Sequence, residues 1–112
     1  MAAIHKPTST FYTNNNTRYI MLDGAANTTL AACYTTLQSQ LSIPNYFGHN
    51  LDALEEVMAD LEWVAEAKVV LIIANTSQLL INDSEAKVHF IEILEQCENK
   101  NLEIIYLQEL TK

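Results

Sequence analysis

The run KVVLIIA at residues 68–74 is the feature that most constrains the fold of this chain. Its last six residues are apolar and show no alternation with polar positions. A half-exposed strand alternates apolar and polar residues, whereas a strand buried on both faces is apolar throughout. Such strands are typical of parallel sheets, because the crossover helices cover both faces. The run therefore predicts a parallel α/β fold with helices above and below the sheet.

The other predicted elements fit this class. Residues 17–22 (TRYIML) and 102–107 (LEIIYL) are short, bulky and apolar, which predicts two further strands. Apolar residues three and four positions apart predict three helices, with these inward-facing residues: Leu30, Cys33, Tyr34, Leu37 and Leu41; Leu51, Leu54, Met58 and Leu61; and Val88, Ile91 and Leu94, with Phe90 and Cys97 as further candidates.

Helix ends and element order complete the fold prediction. Asn27, Thr28 or Thr29 can cap the first helix, and Asp83 or Ser84 the last. The predicted order is strand, helix, helix, strand, helix, strand. Strands separated by helices pair in parallel, so we expect a three-stranded parallel sheet packed by three to four helices.

A length of 112 residues suits one domain. Residues 1–16 are polar and rich in Asn and Thr, which predicts a flexible N-terminal arm before a single domain at residues 17–112. No stretch has the composition of a membrane span or a secretory signal, so we expect a cytoplasmic protein. The two cysteines, Cys33 and Cys97, are expected to be buried thiols, and a pairing across the fold is the alternative.

The formal net charge is −8, and the acidic residues are concentrated. No Lys or Arg occurs from Tyr19 to Ala67, where the following acids stand: Asp23, Asp52, Glu55, Glu56, Asp60, Glu62 and Glu66. Such a surface repels nucleic acid and anionic membranes, and it attracts a basic protein partner. The alternative is that the charge serves solubility alone.

Residues 43–61 (IPNYFGHNLDALEEVMADL) predict a tight loop followed by an acidic helix. Pro44 and Gly48 bracket the loop, Gly48 because glycine adopts backbone angles closed to other residues, and Asn50 is a good N-cap. The helix dipole favours Asp52 in the first turn. Glu56 and Asp60 lie beyond that turn and repel each other, which favours a binding surface over a merely solvated helix face.

The run PNYFGHNLDAL at residues 44–54 resembles the signature of the barstar family of intracellular ribonuclease inhibitors, and the order of elements from Thr17 onward is similar too. The resemblance implies a barstar-like fold. It also implies that Tyr46 is the loop tyrosine that stacks in the nuclease cleft. Gly48, Asn50 and Leu51 match the adjoining loop and helix-start positions, and Asp52 matches an acidic contact.

This chain departs from the family pattern at three positions. Glu56 stands where the family has its dominant aspartate, Glu55 replaces a tryptophan, and Leu61 replaces another aromatic residue. The resemblance also implies an acidic contact on the last helix, which Glu92 or Glu95 would supply, and we include Glu95 among the predicted contacts.

We therefore expect an inhibitor, monomeric when free, that blocks the active site of a basic nuclease and acts as an intracellular inhibitor or a toxin immunity protein. The alternative is an acidic module of the same fold that binds a basic partner unrelated to nucleases. An enzyme is not expected, because His49 and Asp52 lack a nucleophile motif, and no pattern indicates a metal or a cofactor. The alternative for the loop residues is a purely structural role. Tyr46 would then cover the edge of the core, Phe47 and Trp63 would pack in the core, Gly48 would form a turn and Asn50 would cap the helix.

Overall fold

The computed structural model describes residues 11–44 and 47–107. Four strands form one sheet in the order β1-β2-β3-β4, with these bounds: β1 Tyr12–Asn14, β2 Thr17–Asp23, β3 Lys68–Ala74 and β4 Leu102–Tyr106. The described part of the chain has three α-helices, α1 Leu30–Leu41, α2 Leu51–Asp60 and α3 Ser84–Gln96, and a short 3₁₀ turn at Ile81–Asp83.

The sheet is mixed, which corrects the prediction of a three-stranded parallel sheet. Strands β2, β3 and β4 pair in parallel as expected, but β1 pairs antiparallel with β2, with Tyr12 opposite Tyr19. Asn15 and Asn16 connect the two strands with φ of 53° and 60°. Two left-handed residues make a tight hairpin turn, and asparagine is one of the few residues that adopts this conformation readily. Part of the segment predicted as an arm is therefore a strand.

In the described part of the chain, α1, α2 and α3 all share one core with the same face of the sheet, so the prediction of helices on both faces is wrong. The core combines residues from every helix with one face of the strands, including Ile20, Leu22, Leu71 and Ile73. Val70 points to the opposite face and is still only 4 % exposed. It lies in the central part of the sheet, between Tyr19 and Glu103 in the register, and neighbouring side chains cover it. A central strand can thus be apolar on both faces without a second helical layer.

Helix α1 is tied to the outer edge of β2 by Gln40. Strand β1 pairs with β2 only as far as Tyr19, so the edge beyond it lacks a neighbouring strand in the described part. The Gln40 side chain takes that place: its Oε1 accepts the Met21 N–H at 2.8 Å and its Nε2 donates to the Met21 carbonyl at 2.8 Å. A side-chain amide thereby satisfies both backbone groups of one strand residue.

Replacing Gln40 with leucine, which has a similar size, should lower the free energy of unfolding by about 2 kcal/mol, because two backbone groups of Met21 lose their partners. Urea unfolding measures the loss. Gln96→Leu on the exposed side of α3 is the matched control and should change stability by less than about 0.5 kcal/mol. Equal effects of the two substitutions would contradict the edge-capping role of Gln40.

A buried arginine joins three segments beside this edge. Arg18 is 7 % exposed, and its Nε lies 2.8 Å from Glu66 Oε1. Its Nη1 donates to the Gln40 carbonyl at 3.0 Å, and its guanidinium lies 4.0 Å from the centre of the Phe11 ring. Charge-assisted bonds of this kind satisfy the buried cation and fix the segment before β3 against α1.

The last helix packs through most of the predicted residues, since Leu94 and Phe90 are buried and Ile91 and Cys97 pack against the core, but the prediction is wrong for Val88. Phe90, Ile93 and Leu94 are buried, whereas Val88, predicted to face inward, is 68 % exposed. Asp83 occupies the N-cap position of α3 without bonding to that helix, and its Oδ2 instead accepts the N–H of Leu30 at 2.8 Å. The carboxylate therefore stabilises the first turn of α1, whose own cap is Thr29.

Candidate functional site

Helix α2 has a defined N-cap and a buried face, and these fix the positions of its acidic residues. Asn50 is its N-cap, and the Asn50 Oδ1 accepts the N–H of Ala53 at 2.8 Å. Leu54, Val57 and Met58 are buried, which fixes how the helix is rotated against the core. Asp52, Glu55, Glu56 and Asp60 consequently lie on the outer side. We call these four residues the acidic ridge.

All four ridge side chains are exposed, and none takes part in a salt bridge within the described part of the chain. The ion pairs found there join Arg18 to Glu66 and Lys68 to Glu103, and neither pair involves α2. Carboxylates four residues apart on a helix repel each other by a few tenths of a kcal/mol. The ridge therefore carries a concentrated negative charge that stability alone does not explain.

The C-terminal end of α2 is also fixed in place. Leu61 ends the helix in a left-handed conformation with φ of 50° and is buried, so this position offers no contact surface. Asn99 Nδ2 approaches the carbonyls of Met58 and Asp60 at 3.3 and 3.4 Å. Trp63 is half-buried and donates its indole N–H to the Leu41 carbonyl at 2.9 Å, which agrees with the packing interpretation of this residue.

The loop before α2 is braced against α1 by Gln38. Gln38 Nε2 approaches the carbonyls of Ile43 and Pro44 at 3.4 Å each, and its Oε1 lies 2.7 Å from His49 Nε2. Because the amide nitrogen faces two carbonyls, its oxygen must accept from His49, which places the imidazole proton on Nε2. Phe47 is buried and packs edge-to-face on the Tyr34 ring at 5.9 Å, as expected of a core residue.

The structure describes three of the four loop residues that are predicted to contact the partner. Tyr46 lies outside the described residues. Gly48 and Asn50 are exposed and Leu51 is half-buried. Asn50 and Leu51 line the same surface hollow as Asp52 of the ridge. Gly48 does not have a positive φ, and the conformational reason given for it is therefore wrong. A Cβ at this position would lie 3.3 Å from Asn50 Nδ2, so the close approach of the cap side chain is what favours glycine here.

The structure separates the two acids of α3 that the sequence left as alternatives. Glu92 lines a groove between α2 and α3 together with Glu55 and His89. Glu95 instead accepts a hydrogen bond from the Tyr106 hydroxyl of β4. The structure thus brings Glu92 beside Glu55 of the ridge and pairs Glu95 with a residue of β4. The family resemblance implied an acid on this helix, but choosing between Glu92 and Glu95 requires knowing which face of α3 packs inward.

The hydrogen bond between Tyr106 and Glu95 leads to a prediction about the pKa of Tyr106. Burial, the hydrogen bond to Glu95 and the charge of Glu95 together raise the pKa of Tyr106 from 10.0 to about 12. The folded protein then holds this proton more tightly than the unfolded chain, so stability falls as the pH rises from 10.0 towards about 12. Glu95→Gln should lower the pKa of Tyr106, as followed by the ring carbon NMR signals of Tyr106 during an alkaline titration. An unchanged pKa in this variant would contradict the pairing, and Tyr34 provides the internal control.

The described residues contain no group of three His, Cys, Asp or Glu side chains arranged to hold a metal ion. Both cysteines are free thiols, with Cys33 buried and Cys97 partly buried. Burial, together with the charge of Asp83, raises the pKa of Cys33 to about 12, which makes this thiol a poor nucleophile. None of the helices at residues 11–44 and 47–107 has the length and apolar character needed to cross a membrane.

These features define a class: a small α/β protein that presents an exposed, acidic helix beside a braced loop. The comparison with protein families is consistent with that class. The family model described as Barstar (barnase inhibitor) matches residues 17–107, and the chain belongs to the barstar family. The family is one of inhibitors and not of enzymes, and it binds a nuclease. No curated protein matched the chain in a sequence search.

Proposed function

We propose that this protein inhibits a ribonuclease by placing its acidic ridge in the catalytic cleft of that enzyme. The observation that carries the proposal is the exposure of Asp52, Glu55, Glu56 and Asp60 on one capped helix, without a salt bridge from any described residue. Membership of the barstar family supports a nuclease as the partner. Glu92 adds a fifth carboxylate at the α3 side of the groove that Glu55 lines.

The chemistry of the ridge suits such a cleft. A ribonuclease binds the RNA phosphates with Arg, Lys and His, and carboxylates accept the same charge-assisted hydrogen bonds, from Arg in a bidentate manner. The ridge is held by the Asn50 cap and by the buried side of α2 before any partner arrives. Little conformational freedom is lost on docking, and pre-organisation of this kind strengthens binding.

We further propose that Tyr46, Gly48, Asn50 and Leu51 contact the partner at the loop end of the ridge. Gly48 and Asn50 are exposed there, and Leu51 is half-buried. The protein would act as a cytoplasmic monomer, with residues 17–112 as its single domain, and would serve as an intracellular inhibitor or as the immunity protein of a nuclease toxin. Both roles place the same demands on the ridge.

Inhibition assays test the proposal. The protein should inhibit barnase, or another small basic ribonuclease or nuclease toxin from a panel, at a ratio of one to one. Because a concentrated charge steers association, the association rate should fall about tenfold or more between about 0.01 M and 0.15 M salt. Tight inhibition with an association rate that is indifferent to salt would show that the ridge does not guide the encounter.

The competing function is binding to a basic protein that is not a nuclease, since the ridge is complementary to any suitably spaced set of cations. Affinity capture from cells of the source organism distinguishes the two. Recovery of a nuclease whose activity the protein blocks supports the proposal. Recovery of a basic protein without nuclease activity, together with failure against the whole panel, would favour the competing function.

A further inference from the structure

The N-terminal ends of α1 and α2 border a shallow, open hollow of about 560 Å³. Leu30, Ala31 and Tyr34 of α1 form one side, and residues 49–52 form the other. We call it the α1–α2 hollow. It meets the acidic ridge at Asp52, which belongs to both, so a protein that covers the start of the ridge also covers this hollow.

The surface of the α1–α2 hollow is mainly apolar. Leu30 and Leu51 are half-buried on opposite sides of it, and the Tyr34 ring, only 4 % exposed, lies at its base. Asn50 also lines the hollow, but both ends of its amide are engaged, with the N–H of Ala53 and with the Gly48 carbonyl. Its polar atoms are therefore largely occupied by the cap and turn that they stabilise.

An anion is a poor occupant, although two helix N-termini meet here. The Leu30 N–H donates to Asp83 Oδ2 at 2.8 Å, and the Ala32 N–H donates to Thr29 Oγ1 at 3.1 Å. On α2, the Ala53 N–H donates to Asn50 Oδ1. Side chains of this chain thus already occupy donors in both first turns, and the carboxylates of Asp52 and Asp83 repel a phosphate.

The hollow is formed before any ligand binds. The His49 ring packs on Phe47 at 5.0 Å and on Tyr34 at 5.5 Å, and its Nε2 lies 2.7 Å from Gln38 Oε1. These contacts hold the side of the hollow made by the loop against α1. A partner side chain that enters it therefore displaces water from apolar surface without first positioning His49.

We infer that the α1–α2 hollow receives an apolar side chain, aliphatic or aromatic, of the same basic partner that binds the acidic ridge. This inference rests on the proposed function, and it extends the interface from α2 onto the first turns of α1. Continuity with the ridge through Asp52 argues for the same partner. An apolar side chain that packs on a preformed apolar surface beside a charged contact is a common form of interface anchor. The hollow would then select among basic nucleases that the charge alone does not distinguish.

A test that needs no partner is titration of the isotope-labelled protein with indole, followed by amide NMR shifts. Indole should shift the amides of Ala31, Tyr34 and Leu51 with a dissociation constant on the order of 1–10 mM. Ala31→Phe, which fills the hollow from an exposed helix position, should abolish these shifts. Thr35→Phe, one turn further along α1 and outside the hollow, is the matched control and should leave them unchanged.

Two results of that titration would overturn the inference: no saturable shift at the hollow, or larger shifts there with methylguanidinium than with indole. If Ala31→Phe does not fold, Leu51→Ala serves as the second variant and should weaken indole binding severalfold.

The inhibition assay provides a second test, which separates the role of the α1–α2 hollow from the proposed inhibition of a nuclease. Against a nuclease that the protein inhibits, Ala31→Phe should raise the inhibition constant at least about tenfold, and Thr35→Phe less than about twofold. Inhibition that is unaffected by Ala31→Phe would refute the hollow as an anchor and leave the proposed function standing. If no nuclease is inhibited, the proposed function fails, and the indole titration alone decides whether the hollow is an apolar binding site.

Discussion

Replacing Glu56 with alanine is expected to weaken nuclease inhibition by about 2 kcal/mol or more, which is roughly a thirtyfold rise in the inhibition constant. Glu56 occupies the middle of the acidic ridge, with Asp52 and Asp60 one turn away on either side. Removal of the central carboxylate leaves a cation of the partner desolvated without its counter-charge, and this penalty adds to the lost hydrogen bonds. Asp52→Ala should have an effect in the same direction.

The stability of the two variants separates binding from folding. Glu56→Ala relieves the repulsion from Asp52 and Asp60, so its free energy of unfolding should stay unchanged or rise by a few tenths of a kcal/mol. Asp52→Ala removes an acid from the first turn of α2 and should lower stability by about 0.3–1 kcal/mol. A variant that loses inhibition while its fold becomes no weaker has lost a binding contact.

The matched control is Glu103→Gln. Glu103 lies on the helix-free face of the sheet in an exposed ion pair with Lys68, so this change alters the net charge equally at a distance from the ridge. Its inhibition constant should change less than about threefold. Glu56→Asp keeps the charge and shortens the side chain, so a partial loss would show that reach matters as well as charge. If Glu56→Ala and Glu103→Gln weaken inhibition equally, the ridge residues act only through the net charge of the protein and not through direct contacts.

Most of the fold could be predicted from short sequence patterns, because strands, helix faces and caps depend mainly on residues close together in the sequence. The run at residues 68–74 is strand β3 with the predicted bounds, and the residues predicted to face inward on α1 and α2 do pack inward or at the core edge. Asn50 caps α2 as expected, since a cap depends only on residues three positions away. The parallel pairing of β2, β3 and β4 follows from the helices between them.

The errors have causes that a local pattern does not contain. Strand β1 has three exposed residues in a polar segment, so no hydrophobic signal indicated it, although the Asn-Asn turn was present. Helix α3 has apolar residues on several sides, so spacing alone included Val88, which is 68 % exposed, and omitted Ile93, which is buried. Asp83 bonds to Leu30, fifty-three positions away, so tertiary structure determined which helix it stabilises.

The sequence predicted which acidic residues share helix α2, but it did not predict which groups surround their side chains. The sequence placed Asp52, Glu55 and Glu56 on one helix, since their spacing determines it. Exposure of these carboxylates without salt bridges depends on where Arg18 and Lys68 lie, and the fold directs those cations to Glu66 and Glu103. The α1–α2 hollow gave no sequence signal, because its two sides come from separate helices that meet only in the folded protein.

Replacing Gly24 with alanine should lower the free energy of unfolding by about 3 kcal/mol or more, the largest stability effect we expect of any single methyl group in this chain. Gly24 follows β2 and is buried where the chain passes close to the segment after β3. An added Cβ would lie 2.0 Å from the Asn75 carbonyl oxygen and 2.8 Å from the Leu79 backbone nitrogen. Both neighbours are backbone atoms, so neither can be relieved by a change of rotamer.

The clash would also disturb hydrogen bonds that join β2 to β3. The Gly24 N–H donates to the Ala74 carbonyl at 2.8 Å, and the adjacent Asp23 Oδ1 accepts from Asn75 Nδ2 at 2.9 Å. Gly48→Ala is the matched control, because among the described residues its Cβ would meet the side chains of Asn50, at 3.3 Å from Nδ2, and of Ala53, at 4.0 Å from Cβ, and no backbone atom. Its cost should be below about 1 kcal/mol. Urea unfolding compares the two variants, and a Gly24→Ala protein as stable as Gly48→Ala would show that Gly24 does not lie this close to the backbone of Asn75 and Leu79.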